Sequence, residues 1–492
     1  MKQYIKHFVW IVFITIISGC DSWVDSPPEN GLIKEKFWKS EQDVESALID
    51  SYATLQKNIN ILFLHGEVRS DQLSFYRAPG YYQQLRSGRI IDNNKMCNWS
   101  FLYKVINQAS AVVENAPTAA ENDKNFLDVE RDALIAEARF IRSLAYFYLV
   151  RIWKEVPILP YSYETDNNGF ELNKSSEKEV LDYIITDLKL SLPHIKHAFS
   201  EAWENHGRGT VYAVHSLLAD TYLWRDDEGD LDLALEHCKS VFADSKRGLL
   251  SSDQWFSIFS EGNTAEGIFE IQCENLQGQS GPWYKLFLNA ERPEFIFNKK
   301  LQDKDFSIYD ETDIRGENAT YNSETGLILK YITPDPTIVP LKYYPNRQQY
   351  TCNFIVYRAA DIILMMAEIY AEKGMYKESM EQINKIRNRA NATEITTLEE
   401  SVTAYEDYIL YERTRELYGE GKSWFDLLRI AKRNNYARKQ MIIDKVLTSV
   451  SPIDQASVES ALQDEYAFYL PISRNELVYN QQLIQNPFYQ SK

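Results

Sequence analysis

The sequence predicts an all-α, mainly helical protein in which tetratricopeptide-like helical hairpins form the scaffold and long, irregular, aromatic-rich loops are attached to it. Apolar residues recur at helical spacing through most of the chain. Two segments have the pattern of helical hairpins of one repeated type. Residues 244–356 are different, since they are rich in Gly, Pro, Asn and aromatic residues and keep no 3.6-residue period, which predicts long loops.

The N-terminus predicts a lipoprotein signal peptide at residues 1–19. Residues 8–17 form an apolar run about half as long as the ~20 residues that span a bilayer, and Lys2 and Lys6 precede it. The run ends in "IISGC", which resembles the lipobox of bacterial lipoproteins, whose cysteine carries lipid. We therefore expect lipidation of Cys20 and a tether over residues 20–39. A plain signal peptide with an incidental cysteine is the alternative.

Helix signals follow along residues 40–243, which we interpret as an N-terminal helical half. Ser40 and Asp43 are suited to cap a helix that begins beside them. A long apolar stripe from residue 134 to residue 152 predicts a five-turn helix, which Pro157 follows. Ser176 and Glu179 fit a capping box at the start of the next helix.

The two predicted hairpins are "YAVHSLLADTYLWRDDEGDLDLALEHCKSVF" and "AADIILMMAEIYAEKGMYKESMEQINKIRNRA". Small residues such as Ala219 and Ala367 let two helices approach closely, while Tyr222 and Tyr370 fill the seam between them. A Gly lies at each turn. Hairpins of this kind do not bury their apolar faces alone, so we expect them to stack on their neighbours.

Composition excludes several classes of function. The formal net charge is -18, with 53 basic against 71 acidic residues. A chain with this charge repels polyanions, so nucleic acid is not expected as a partner. No sequence motif indicates a catalytic residue, a cofactor or a metal. After Cys20 the remaining cysteines have no CxxC spacing and no His at ligand spacing, and their disulfide state is left open; they are Cys97, Cys238, Cys273 and Cys352.

Five segments together resemble successive blocks of the SusD/RagB family. They occur in that family's order behind the lipobox and are spread over nearly all of the chain that follows the signal peptide. The segments are "EARFIRSLAYFYLVRIWKEVPIL", "GRGTVYAVHSLLADTYLW", "YRAADIILMMAEIYAEKG", "ERTRELYGEGKSWFDLLR" and "YLPISRNELVYNQQLIQNPFY". The resemblance extends the division of the chain to a RagB/SusD C-terminal half, residues 244–492, with a loop-rich insert at 244–356.

The resemblance implies a lipid-anchored lipoprotein on the outer surface of a Gram-negative cell. Such a protein binds a nutrient, usually a glycan, in polysaccharide utilisation, and works with a SusC-like TonB-dependent transporter in the outer membrane. The fourth block, read from its own residues, is structural: its crowded charges indicate an interlocked ion-pair corner rather than a ligand site, and they are Glu412, Arg413, Arg415 and Glu416.

Sugar binding needs flat apolar rings that cover C–H faces and planar polar groups that bind pairs of hydroxyls. Two loops supply both. The first, "SDQLSFYRAPGYYQQLRSGR", contributes the candidate residues Asp71, Phe75, Tyr76, Arg77, Tyr81, Tyr82 and Arg86. The second, "GQSGPWYKLFLNAERPEF", contributes Trp283 and Tyr284 after a Gly-Pro turn. The excess of arginine is compatible with an acidic glycan.

Three alternatives stay open from the sequence. Each aromatic ring could pack on the helices instead of facing a ligand. The helical repeats could form a scaffold that grips another protein. With 71 acidic residues, a pair of carboxylates suited to glycoside hydrolysis is not excluded, although no pattern selects one.

Overall fold

The protein is represented by a computed structural model that describes residues 37–163, 171–274, 280–288, 292–302, 310, 312–333 and 350–490. The predicted signal peptide, the lipidation site Cys20 and most of the predicted tether lie outside the described residues. In the part that is described, no helix is both long enough and apolar enough to cross a membrane.

The described chain is mainly helical, as predicted. Its helices in chain order are α1 Glu41–Gln56, α2 Ile59–Glu67, α3 Gly80–Arg86, α4 Ser100–Asn122, α5 Asp128–Trp153, α6 Glu177–Ser191, α7 Glu204–Gly207, α8 Val211–Arg225, α9 Asp230–Val241, α10 Ser257–Ser260, α11 Ala359–Glu372, α12 Tyr376–Arg389, α13 Val402–Glu416, α14 Ser423–Tyr436, α15 Gln440–Leu447, α16 Gln455–Ala461 and α17 Arg474–Tyr479. Shorter turns of 3₁₀ or π type lie between them.

Short strands form two small antiparallel pairs. β1 (Leu73–Phe75) pairs with β3 (Phe295–Phe297). β2 (Gly267–Ile271) pairs with β4 (Phe354–Arg358), with an irregular register near Phe269, and β4 leads directly into α11. Three of the four strands come from the loop-rich interval 244–356, so these pairs tie that interval to the helices.

The larger helices form a row in which each packs on the next. α1 packs on α4, α4 on α5, α5 on α6, and α6 on the α8–α9 hairpin. The row continues from α9 to α11, which contacts both α12 and α13. Stacking of neighbouring helices buries faces that an isolated hairpin would leave exposed. One large apolar cluster extends through most of this row.

The predicted helix starts are confirmed in atomic detail. The Ser40 side chain accepts a hydrogen bond of 3.3 Å from the backbone N–H of Asp43 at the start of α1. Ser176 and Glu179 form the reciprocal capping box in front of α6. The long stripe forms α5, which ends at Trp153 because Lys154 adopts a left-handed φ of 69°, before Pro157 is reached.

Both predicted hairpins are present, as α8–α9 and α11–α12. Ala219 and Ala367 are fully buried in the seams. Gly374 forms the second turn with φ +68°, a conformation in which a side chain would be strained. Across that seam, the Ser379 hydroxyl donates a 2.8 Å hydrogen bond to the Ala367 carbonyl.

The predicted ion-pair corner is confirmed at the end of α13. Glu412 accepts from Arg315 at 2.7 Å and from Arg415 at 3.0 Å, while Arg413 pairs with Asp361 and Asp426, each at 2.7 Å. Glu416 accepts hydrogen bonds from three guanidinium groups, those of Arg315, Arg358 and Arg389. Apart from the half-buried Arg415, these side chains are buried, so the corner is part of the framework.

Candidate functional site

The two loops predicted to bind ligand lie against each other in the folded chain. β1 belongs to the first loop and β3 follows the second, and their antiparallel ladder sets Phe75 opposite Phe295. One further hydrogen bond of 3.0 Å, from the Tyr76 N–H to the Glu294 carbonyl, continues the ladder. Segments more than 200 residues apart in the sequence therefore form one surface.

The first loop is more regular than its sequence predicted. A Pro-Gly pair is typical of a turn, but here a helix, α3, begins at Gly80 directly after Pro79. The helix directs Tyr82 inward, where its ring stacks on Phe295 with centroids 5.6 Å apart. Tyr82 is only 2% exposed, so the prediction that its ring faces a ligand is corrected to a packing role.

Four of the candidate residues in the first loop form what we call the loop surface: Phe75, Tyr76, Arg77 and Tyr81. Tyr76 is 55% exposed and Arg77 is also exposed, whereas Phe75 and Tyr81 are half-buried. The Tyr81 ring lies 4.5 Å from Tyr82 in an edge-on arrangement. Since Tyr82 is fixed against β3, Tyr81 is held in place with one part of its ring open to solvent.

Two charged candidates support the loop surface from beneath or beside it. Arg86 is buried, its guanidinium lies 4.7 Å from the centre of the Phe75 ring, and its Nη2 donates to the Ser70 carbonyl at 3.2 Å. Burial lowers the pKa of Arg86. Asp71 is half-buried and forms an ion pair of 2.9 Å with Lys445 of α15. Arg86 therefore positions Phe75, and Asp71 links the loop to α15.

Trp283 is in the core, which corrects the prediction that it forms part of an open platform. Its side chain has no exposed area, and its Nε1 donates a 2.6 Å hydrogen bond to the Cys352 carbonyl. Its ring stacks on Tyr331 with centroids 4.0 Å apart and meets Phe63 edge-on. A ring enclosed on its faces by other aromatic groups has no surface left for a sugar.

Tyr284, the neighbour of Trp283, is half-buried at the start of a π-type turn, Tyr284–Leu288. Its ring packs edge-on against Tyr350 at 5.2 Å. The next residue, Lys285, forms an ion pair of 3.1 Å with Glu294, which immediately precedes β3. Of the two candidates from the second loop, Tyr284 is thus the one with accessible area.

A groove on another part of the molecule was missed by sequence reasoning. It has a volume of about 480 Å³ between the start of α4 and α17, and is lined by Trp99, Ser100, Tyr103, Asn107, Pro157, Leu159, Tyr163, Leu172, Glu476, Tyr479, Asn480 and Leu483. Tyr479 at its rim is 82% exposed. Its lining residues come from segments up to about 380 residues apart, so no sequence pattern groups them.

The polar groups of this groove are largely used inside the protein. The Asn107 side chain bonds to both backbone groups of Tyr163, and the Tyr103 hydroxyl donates to the Pro157 carbonyl at 2.8 Å. Asn480 donates to the Leu172 carbonyl at 2.9 Å. The groove is therefore an apolar, aromatic channel with few polar atoms directed outward.

Within the described ranges, no group of three or more His, Cys, Asp or Glu side chains is arranged to hold a metal ion. The question of disulfides is settled for the cysteines of the described chain. Cys97, Cys238, Cys273 and Cys352 are all buried, and none of them forms a disulfide within the described chain.

Comparison with family models assigns both halves of the chain. A model described as "SusD family" matches residues 268–489. A model described as "Starch-binding associating with outer membrane" matches residues 22–223. The second description attaches outer-membrane association and starch binding to the proteins that define that model.

Similar full-length proteins are known from two genera. A SusD-like protein of Bacteroides ovatus is 25% identical over 483 residues, covering 87% of this chain and 83% of its own. SusD-like protein P38 of Formosa agariphila is 25% identical over 481 residues, covering 86% of this chain and 91% of its own.

Solved structures show the same fold. A SusD superfamily protein of Bacteroides vulgatus superposes with a TM-score of 0.77 at 21% identity, covering 92% of this chain and 100% of that one. A SusD superfamily protein of Bacteroides thetaiotaomicron gives 0.73 at 22% identity, covering 92% and 99%. The family models, the full-length relatives and the shared fold together show that this chain belongs to the SusD family.

Proposed function

We propose that this chain is a glycan-binding lipoprotein that is anchored through Cys20 on the cell surface and passes captured glycan to a SusC-like TonB-dependent transporter of the outer membrane. The observation that carries the proposal is the β1–β3 ladder, which pairs the two predicted loops and holds the accessible rings of the first loop in place. SusD family members are generally binding proteins without catalysis, so we propose capture without cleavage.

The loop surface has the chemistry that a saccharide requires. Tyr76 presents an exposed ring, and Tyr81 and Phe75 offer half-buried rings that are fixed by their neighbours. Rings held in place lose little conformational freedom when a sugar stacks on them. Arg77 beside them supplies a planar donor group for hydroxyl or anionic oxygen atoms.

The test compares single alanine substitutions in a glycan-binding assay and in an unfolding assay. Tyr76→Ala and Tyr81→Ala should each weaken binding by about 1 to 3 kcal/mol, by analogy with base stacking on aromatic residues. Stability should change little for Tyr76→Ala because the ring faces solvent. Tyr411 is a matched control, since it is 52% exposed on α13, and Tyr411→Ala should leave affinity unchanged.

Trp283→Ala provides the opposite pattern. Removal of this enclosed ring should lower the free energy of unfolding by about 3 to 5 kcal/mol, while the affinity of the folded fraction stays the same. Equal affinity of the wild type, Tyr76→Ala and Tyr81→Ala would overturn the loop surface as the binding site.

The groove and the other classes of function give distinct results in the same assays. A loss of affinity for Tyr479→Ala but not for Tyr76→Ala would move the glycan to the groove. Release of shorter saccharides on incubation would indicate a hydrolase. Retention of no glycan from a broad panel of neutral and anionic polysaccharides would leave the protein-binding scaffold as the better interpretation.

A further inference from the structure

The loop surface is locally basic, although the protein as a whole carries a formal charge of -18. Three acidic side chains that lie in the two loops or contact them are matched by basic partners. Asp71 pairs with Lys445 at 2.9 Å, Glu294 with Lys285 at 3.1 Å, and Asp454 with Arg89 at 2.8 Å. Each of these carboxylates is therefore neutralised by its partner.

Several cations at this surface lack such a match. Arg77, Lys95 and Arg292 are exposed, and none forms an ion pair with another residue of the described ranges. The Lys95 ammonium group lies 5.8 Å from the centre of the Tyr81 ring. Unpaired cations on an acidic protein attract anions selectively to that place, because the remaining surface repels them.

Arg77 and Arg292 are brought close by the ladder. The Tyr76 N–H donates to the Glu294 carbonyl. Arg77 is the residue after Tyr76, and Arg292 lies two residues before Glu294. At about 3.3 Å per residue in extended chain, both lie near the open end of the ladder. Two exposed arginines and the exposed ring of Tyr76 thus belong to the same end of the ladder, a combination of groups that suits a sugar with an anionic substituent.

Arg86 adds positive charge beneath the same rings. Its guanidinium group is stacked on Phe75 at 4.7 Å, and its Nε has no hydrogen-bond partner in the described part of the chain. Among the charged groups around this guanidinium, Asp71 is already paired with Lys445. The positive charge of Arg86 is thus not cancelled by a dedicated carboxylate.

We infer that the glycan bound at the loop surface is anionic, with carboxylate or sulfate groups that bind Arg77 and Arg292 while its sugar rings stack on Tyr76 and Tyr81. This inference rests on the proposed function and specifies its ligand class. Carboxylate and sulfate present similar oxygen atoms to a guanidinium group, so the two sources are separated by experiment.

The experiment uses two pairs of polysaccharides that share a backbone and differ in charge. Polygalacturonate is compared with its methyl ester, and dextran sulfate with dextran. We expect the anionic member of at least one pair to bind about tenfold more tightly, since a charge-assisted hydrogen bond contributes roughly that factor. The pair that shows the difference identifies carboxylate or sulfate. This affinity should fall as ionic strength rises from about 0.05 to 0.5 M.

The double variant Arg77→Gln/Arg292→Gln should lose about tenfold in affinity for the anionic member while its melting temperature is unchanged. Lys124→Gln/Lys239→Gln is the control, because it removes the same charge from exposed sites outside the loop surface, and its affinity should stay within about twofold of the wild type.

The inference would be overturned by equal affinity for both members of both pairs, by an arginine variant that matches its lysine control, or by tighter binding of a single-stranded DNA such as oligo-dT than of either anionic polysaccharide. Binding of neutral polysaccharides alone would overturn the inference and leave the proposed function standing. Binding of no polysaccharide would contradict the proposed function itself.

Discussion

Glu67 at the end of α2 is a buried carboxyl group held by the backbone that leads into α14. Its Oε1 accepts hydrogen bonds from the N–H groups of Gly421 and Lys422, at 2.8 and 3.2 Å, and its Oε2 accepts from the Ser423 hydroxyl at 2.6 Å. The chains touch here so closely that a Cβ on Gly66 would lie 1.8 Å from the Gly421 carbonyl oxygen. Burial raises the pKa of Glu67 from 4.5 to about 7.

The raised pKa predicts a pH dependence of stability that belongs to this one residue. Because the folded state holds the proton more tightly than the unfolded state, this contribution is complete below pH 4.5 and is lost as the pH rises through 7. Its size is on the order of 3 kcal/mol. Glu67→Gln mimics the protonated group. As the pH rises from about 5 to about 7, the free energy of unfolding of this variant should therefore fall less than that of the wild type.

Urea unfolding at several pH values in that interval measures the effect. Glu121→Gln is the control, since Glu121 is exposed on α4 and its substitution should leave the pH profile of the wild type intact. Parallel profiles for the wild type and Glu67→Gln would show that Glu67 does not titrate in this interval.

Among the elements, the end of α13 is the most densely charged. Glu416 is fully buried and accepts hydrogen bonds from the guanidinium groups of Arg315, Arg358 and Arg389. These arginines come from the interval between β3 and β4, from the end of β4 and from the end of α12. Nearby cations, with Arg389 the largest contributor, hold the pKa of Glu416 well below its usual range despite its burial. One carboxylate thus connects three segments to α13.

Glu416→Gln should destabilise the protein by about 3 to 5 kcal/mol, because it leaves buried guanidinium groups without their shared counter-charge. The measurement is the free energy of unfolding in urea, with Glu400→Gln in the exposed segment before α13 as the control. A loss below about 1 kcal/mol would mean that Glu412, Glu266 and Glu420 neutralise the arginines without Glu416.

At the scale of the whole molecule, the helix row and the loop surface have separate roles. The row of packed helices, which begins with α1 and ends with α12 and α13, forms the apolar core. The elements β1, β3 and α3 lie outside this row and hold the exposed rings at the surface. Membrane attachment depends on neither part under the proposed function. In that proposal it depends on lipidation of Cys20.

Cys20→Ala should therefore move the protein from the membrane fraction to the soluble fraction of the native cell, without changing its melting temperature or glycan affinity in vitro. A lipid anchor acts through its buried acyl chains, and the substitution removes their attachment point. Purification of the wild type in mild detergent should also recover a large outer-membrane barrel.

Fractionation by ultracentrifugation and immunoblotting checks the first result, and mass spectrometry of the purified complex checks the second. Retention of Cys20→Ala in washed membranes would contradict lipid anchoring. Recovery of the wild type alone, under conditions that preserve other outer-membrane complexes, would contradict the partnership with a transporter.

Sequence patterns were sufficient to predict the helical class, the caps at Ser40 and Ser176, both hairpins and the ion-pair corner. Each of these depends on spacing within a few turns of one segment, and local periodicity records which face of a helix is buried. The sequence also selected the loops that meet at the β1–β3 ladder, because rings and turn residues are concentrated there.

Which rings of those loops are open depends on contacts that form in the folded chain. Trp283, Tyr82 and Tyr76 all lie in aromatic-rich stretches of the two loops, yet Tyr331 covers the first and Phe295 covers the second. In an irregular segment no periodicity marks the buried side, so exposure depends on partners that are distant in sequence. The groove beside α17 was hidden for the same reason, since its walls converge only after the chain has folded.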